Sequence, residues 1–223
     1  MRIQQLHPLP LRIWHWVNVL IILFLLVTGF QFRVPGIAAL SPHDISSSFH
    51  RWAGIAMIAS WVFWFVWGLG SGHLRQQYAF LKADATGLLR QTNYYLYAIF
   101  RGEENPFRAS PAAKYNPLQK LAYGSIMGLF SPLMLITGLL FMNMGFLATS
   151  GALSWKAVKA IDALHVTGFY IFACFLVIHI YMATLGPTPF THIKDMIVCY
   201  EEESDGPEVD GKTSIPEMIE KKD

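Results

Sequence analysis

The 223-residue chain holds eight histidines, and four of them lie within apolar runs: His15, His50, His165 and His179. His165 and His179 are fourteen residues apart, almost four helical turns. Both imidazoles therefore leave nearly the same helix face, about 21 Å apart along the axis. An ionisable group inside a membrane helix is costly and marks a functional site. Imidazole suits iron, zinc and copper alike. A zinc site gathers three or four protein ligands around a single ion, whereas these histidines divide into two separated pairs. Two imidazoles per centre suit a haem, whose porphyrin supplies the other four ligands. The chemistry indicated is one-electron transfer at two stacked haems, each gripped by two histidines.

Cys174 and Cys199 are too few for an iron–sulfur cluster, and no C-x-x-C-H motif is present. Any haem is then held by axial ligands and packing alone, as haem b. Cys174, in mid-helix, reads as a small apolar filler.

The elements that must position the histidines are membrane spans. Over half of the chain is hydrophobic and only 14% is charged, against about 25% in an ordinary soluble domain. The net charge of +2 and the lack of a basic cluster interleaved with aromatics exclude nucleic acid as a partner. A span needs about twenty predominantly apolar residues, and four segments qualify: about 11–34, 45–69, 118–146 and 161–185. The first is too long for a signal peptide and no A-x-A cleavage site follows it, so it reads as a retained helix. Pro35 and Pro187 mark the ends of the first and fourth spans. The expected fold is an all-α integral membrane protein, a four-helix transmembrane bundle with two haems in its core.

The connection 70–117 is the one large loop. Its amphipathic stretch 80–100 offers Tyr94, Tyr95, Tyr97 and Phe100 as interfacial anchors. It carries Arg75, Lys82, Arg90, Arg101, Arg108 and Lys114, with Lys120 at its edge, against Arg33, Arg51, Lys156 and Lys159 on the other side. That bias places the loop and both termini in the cytoplasm of a bacterial inner membrane. The acidic tail 199–223, with Pro207 and Pro216, is expected to be disordered or partner-bound. In this topology His15 and His179 share the cytoplasmic depth, and His50 and His165 the periplasmic one. Depth alone pairs them so.

Glycines add a second line. Gly29 lies fourteen residues after His15, and Gly124 and Gly138 are fourteen apart on the span without a ligand. A haem edge needs a helix face without bulk, although small residues also serve ordinary helix packing. Gly54, one turn past His50, and Gly168, three past His165, fit the same idea. Arg12 near His15 and Arg51 after His50 are candidate partners for haem propionates, or basic residues snorkelling to the interface. The other histidines, His7, His43, His73 and His192, fall in loops or boundaries and read as surface residues. Asn116, just before Pro117, reads as a helix N-cap.

Several motifs occur in order: R-I-W-H-W at 12–16, F-H-R-W-A-G at 49–54, K-Y-N-P-L-Q-K at 114–120, H-I-Y-M-A at 179–183 and I-K-D-M-I at 193–197. Over residues 8–198 the chain resembles the di-haem cytochrome b (gamma) subunits of respiratory formate dehydrogenases, nickel–iron hydrogenases and thiosulfate reductases. The resemblance implies a membrane anchor that passes electrons between a periplasmic redox subunit and the quinone pool. That subunit would be an iron–sulfur protein or multihaem cytochrome carried with a catalytic subunit, and the whole complex could form a homo-oligomer. It implies the same two haem b groups, His50 with His165 and His15 with His179. It also places menaquinone or ubiquinone near Asn116, Gln119 and His179. Leu118 stands where the formate dehydrogenase branch has glycine.

Two other classes compete. A haem-free anchor or transporter would use the histidines as a proton or metal path, and a sharp reduced-minus-oxidised alpha band would separate it. A self-contained transmembrane reductase would lack a redox partner. Bis-histidine haems have no open position and carry electrons rather than activate oxygen. Electron flow to quinone would store about 2.3 kcal/mol per electron per 100 mV, and the same wiring serves the reverse direction.

Overall fold

The computed structural model describes residues 3–4, 7–34, 42–80, 82–107, 113–185, 188–198 and 201–202. Pro35, Arg108, Pro187, Cys199 and the tail beyond Glu202, with Pro207 and Pro216, lie outside the described residues. The chain forms α1 (Leu9–Arg33), α2 (His43–Gly70), α3 (His73–Tyr78), α4 (Lys82–Leu96), α5 (Pro117–Ser125), α6 (Ser131–Met142), α7 (Met144–Thr149), α8 (Trp155–Ala183) and α9 (Thr191–Val198). A π-helical turn, Ile126–Phe130, fuses α5 and α6 into one span. Four helices are thus long and apolar enough to cross a membrane: α1, α2, Pro117–Met142 and α8. They pack in a ring, α1 on α2, α2 on α6, α6 on α8, and α8 back on α1.

Two span boundaries differ from expectation. The third span ends at Met142, because Asn143 donates its side-chain amide to the Leu139 carbonyl and turns the backbone out of the helix. Phe146 therefore belongs to the separate helix α7. The fourth helix begins at Trp155 rather than near 161, since Ser154 caps it by accepting from the Ala157 N–H at 3.3 Å. Its first turns carry Lys156 and Lys159, which apolarity alone assigned to a loop.

β1 (Ile3–Gln4), the described residues of the connection between α2 and α5, and α9 gather at one end of the bundle, here the terminal end. Apart from helices, the described residues contain one antiparallel pairing of β1 (Ile3–Gln4) with β2 (Glu201–Glu202) at that end. Residues 143–154 and the start of α2 form the far end.

Several polar groups inside the spans are paired across helices, as a medium without water favours. Trp14 Nε1 donates to the Ser60 carbonyl at 3.0 Å, and Asn18 Nδ2 to Ser60 Oγ at 2.6 Å, tying α1 to α2. In the π turn, the Ser131 N–H goes to the Ile126 carbonyl. Residue 132 is proline and has no N–H to offer, so the Met127 carbonyl is left over. Trp61 Nε1 of α2 takes it at 2.9 Å.

At the terminal end, Gly87, Gln91 and Tyr95 follow one another at four-residue spacing on one face of α4. A Cβ at Gly87 would approach Pro117 to 2.7 Å, so only glycine lets α4 lie this close to α5. Asp84 of α4 and Lys120 of α5 add a buried ion pair at 3.2 Å, both side chains only 10% exposed.

Candidate metal centres

The four intramembrane histidines meet as two pairs. The ring centres of His15 and His179 are 6.2 Å apart, and those of His50 and His165 are 6.5 Å apart. A metal held about 2.0 Å from a nitrogen of each imidazole sets two ring centres about 6 Å apart. Neither pair is joined by a hydrogen bond. Among the described residues no cluster of three or more His, Cys, Asp or Glu forms a conventional metal site. The donor set is two imidazoles at each of two levels, and it fits haem rather than zinc.

Hydroxyl groups fix the far-end imidazoles. Thr28 Oγ1 lies 2.7 Å from His50 Nδ1, and Thr137 Oγ1 lies 2.8 Å from His165 Nδ1. Each threonine already donates its single hydrogen to its own helix, at 2.8 Å to the Phe24 and Leu133 carbonyls. A hydroxyl has one hydrogen, so both imidazoles must donate from Nδ1. That leaves the Nε2 lone pair of each free to ligate a metal. At the terminal end Tyr123 Oη is 3.5 Å from His179 Nδ1, whereas His15 Nδ1 is buried with no partner among the described residues.

The glycines expected near a cofactor differ in their surroundings. A Cβ at Gly29 would touch His50 Cε1, and one at Gly138 would touch His165 Cε1, each at 3.7 Å. Gly54 and Gly124 face open space. Gly168 is a helix-packing glycine, since a Cβ there would run into Met134. Thr28-Gly29 and Thr137-Gly138 form a repeated dipeptide, the hydroxyl holding Nδ1 and the glycine clearing the ring edge. The glycines are legible from spacing and the threonines are not singled out by it.

Arg12 Nε is buried without a hydrogen-bond partner among the described residues, while Arg51 is exposed beside His50. His73 is not a surface residue: it is 6% exposed, against the Trp67 and Tyr78 rings. Burial, then the Lys114 charge, holds its pKa down to about 4. His7 is likewise pushed down to about 4 by burial, then by Lys114, His15, His73 and Arg12. On α9, Asp195 is buried with its carboxyl pushed up, an effect opposed by His192, 3.8 Å away. Cys174 is a free thiol exposed on the outer face of α8.

Asn116 and Gln119 close a capping box. Asn116 Oδ1 accepts from the Gln119 N–H at 2.9 Å, and Gln119 Oε1 accepts from the Asn116 N–H at 3.1 Å. Asn116 Nδ2 also donates to Tyr95 Oη at 3.2 Å, and the residue is 2% exposed. Its side chain caps α5 and ties it to α4. Tyr95, expected as an interfacial anchor, is the partner of that cap, whereas Tyr97 and Phe100 are exposed.

A four-helix membrane bundle with imidazoles paired at two levels defines a cytochrome of the b class. The model of the prokaryotic cytochrome b561 family matches residues 6–197. The chain belongs to this family and is a membrane electron-transfer protein that binds b-type haem. Cytochrome YdhU of Escherichia coli K12 is 32% identical over 202 residues, 87% of this chain and 73% of that one. A Ni/Fe-hydrogenase B-type cytochrome subunit of Cupriavidus necator is 26% identical over 200 residues, 78% of this chain and 76% of that one. Membership sets aside the haem-free anchor or transporter.

Proposed function

We propose that the chain carries two b-type haems, one between His15 and His179 and one between His50 and His165, and links a redox partner at the far end to quinone at the terminal end. The observation that carries this reading is the pair of imidazole separations, 6.2 and 6.5 Å, at levels about 21 Å apart by helical rise. Bound there, the haems would supply two one-electron carriers stacked across the membrane.

The chain's residues do the rest. His15 with His179, and His50 with His165, would each hold one haem, which would then supply electron transfer rather than oxygen chemistry. Thr28 and Thr137 hold Nδ1–H and keep the rings oriented. The apolar spans exclude water from both centres. Gln119, one turn before Tyr123 on α5, uses Oε1 in the capping box and would offer its Nε2 amide to a quinone carbonyl, with Tyr123 beside His179. Asn116 supports the site by holding the start of α5. A relative named for nickel–iron hydrogenase supports a catalytic redox complex as the partner, and the basic loop supports cytoplasmic termini in a bacterial inner membrane.

The test is haem stoichiometry in the native complex by acid–acetone extraction and pyridine haemochrome assay, with two non-covalent haems per chain expected. Redox titration should show that His50→Ala and His165→Ala remove one component, and His15→Ala and His179→Ala the other. A single haem, or loss of one component by both His15→Ala and His50→Ala, would sink the reading.

A further inference from the structure

At the terminal end Arg12 and His73 each hold a buried nitrogen with no hydrogen-bond partner among the described residues. Arg12 lies three residues before His15 on α1, hence one turn away on the same side. Its Nε is buried and has no hydrogen-bond partner among the described residues. His73 of α3 is 6% exposed, and its Nε2 is also buried without a partner. His7 stands close enough to Arg12, His15, His73 and Lys114 to feel the charge of each, and Lys114 bears on His73 as well. Among the described residues no carboxylate bears on either histidine. Asp84 is engaged with Lys120, and Asp195 on α9 lies 3.8 Å from His192 with its buried carboxyl oxygens in no hydrogen bond among the described residues.

The fold builds this cluster deliberately from separate segments. Gly72, at φ 72°, makes the left-handed turn that launches α3 within two residues of the end of α2. Gly68 lets Leu74 press onto α2, where a Cβ would come within 2.7 Å. Gln77, 1% exposed, accepts the Lys114 N–H at 3.1 Å and so fixes the Lys114 segment on the helix that carries His73. Buried donors left unpaired are costly to a fold. An arrangement that collects them beside the charges of Arg12 and Lys114 is complementary to an oxyanion.

We propose that Arg12 and His73, flanked by His7 and Lys114, form the socket for the carboxylate groups of the haem held by His15 and His179. This rests on the two-haem reading above and assigns a polar anchor to one haem only. A porphyrin of the b type carries two carboxylates on one edge, and each needs a donor or a cation. Arg12 Nε–H, one turn from His15 on α1, and His73 Nε2–H on α3 would supply the donors, with His7 between them bearing on Arg12, His15 and His73. The exposed Arg51 gives the far-end pair no equivalent buried donor. The two haems would then differ in electrostatics, the one at the terminal end being stabilised in its reduced state by neighbouring positive charge.

The test uses the native complex, titrated potentiometrically at one fixed pH with the visible alpha band as readout. Arg12→Gln and His73→Phe, the latter keeping the ring against Trp67 and Tyr78, should each move one component to more negative potential or loosen that haem selectively. The component affected should be the one that His179→Ala removes, and Arg12→Lys should restore most of the shift. Two retained haems with both potentials unmoved in His73→Phe and in Arg12→Gln would overturn the proposal, as would movement of the other component. Loss of a co-purifying anionic phospholipid, with both potentials unmoved, would assign the cluster to a lipid phosphate and equally overturn it. A wild-type complex without two haems would instead defeat the proposed function itself.

Discussion

Thr28 and Thr137 do the same work on different helices. Each stands one residue before a glycine, returns its hydrogen to its own helix, and accepts from a histidine across the bundle. Such partners keep a ligating imidazole in one tautomer and raise its basicity, and losing one typically weakens the metal site 10–100-fold. Thr28→Val and Thr137→Val keep the shape and remove the acceptor. Both should move the same redox component to more positive potential or release the same haem more readily, with Thr→Ser restoring it. Shifts in different components would break the pairing of His50 with His165. The histidines and Gly29 are legible in sequence because their fourteen-residue spacing is a property of a single helix. The threonines are not, since a threonine in an apolar run reads as bonding only its own backbone. Its second bond crosses to another helix.

At the scale of elements, the third span shows what periodicity conceals. The π turn at Ile126–Phe130 and Pro132 together leave the Met127 carbonyl unpaired in the apolar layer, and Trp61 satisfies it. Trp61→Phe keeps the ring and deletes the donor, so it should cost about 1–3 kcal/mol. Thermal loss of the alpha bands in detergent would read this as a lowered midpoint, and an unchanged midpoint would show another donor reaching Met127. The capping box at the head of the same span was partly legible, because asparagine before Pro117 with glutamine three residues on is a local signature. Its meaning for the site was not, because Asn116 Nδ2 ends on Tyr95 of α4. Asn116→Ala should therefore lower stability by about 1 kcal/mol. Gln119→Ala should instead weaken quinone turnover while both haems stay reducible by the far-end donor. If Asn116→Ala slowed turnover with stability unchanged, the amide would be a direct quinone contact. His73 was misread for a related reason: its neighbourhood comes from the short helix α3 folding back on α2, which no hydrophobic period announces.

For the whole molecule, the ring of four helices fixes which groups share an end, and charge decides which side of the membrane that end faces. Among the described residues the terminal end carries Arg75, Lys82, Arg90, Arg101, Lys114 and Lys120, and the far end carries Arg33, Arg51, Lys156 and Lys159. Short loops rich in Lys and Arg stay in the cytoplasm, so the His15–His179 level and Gln119 should face inward. Quinone reduced there would draw its protons from the cytoplasm, and an electron arriving from the far end would have crossed most of a layer about 30 Å thick. Two exposed positions test the orientation directly: Glu103 in the connection at the terminal end, and Ser150 between α7 and α8 at the far end. In a chain with Cys174→Ser and Cys199→Ser, a membrane-impermeant maleimide applied to intact spheroplasts should label Ser150→Cys. Glu103→Cys should label only after the membrane is broken. The opposite pattern would turn the molecule over, placing the basic cluster around Arg12 and His73 in the periplasm and moving the quinone's proton source to the outer side.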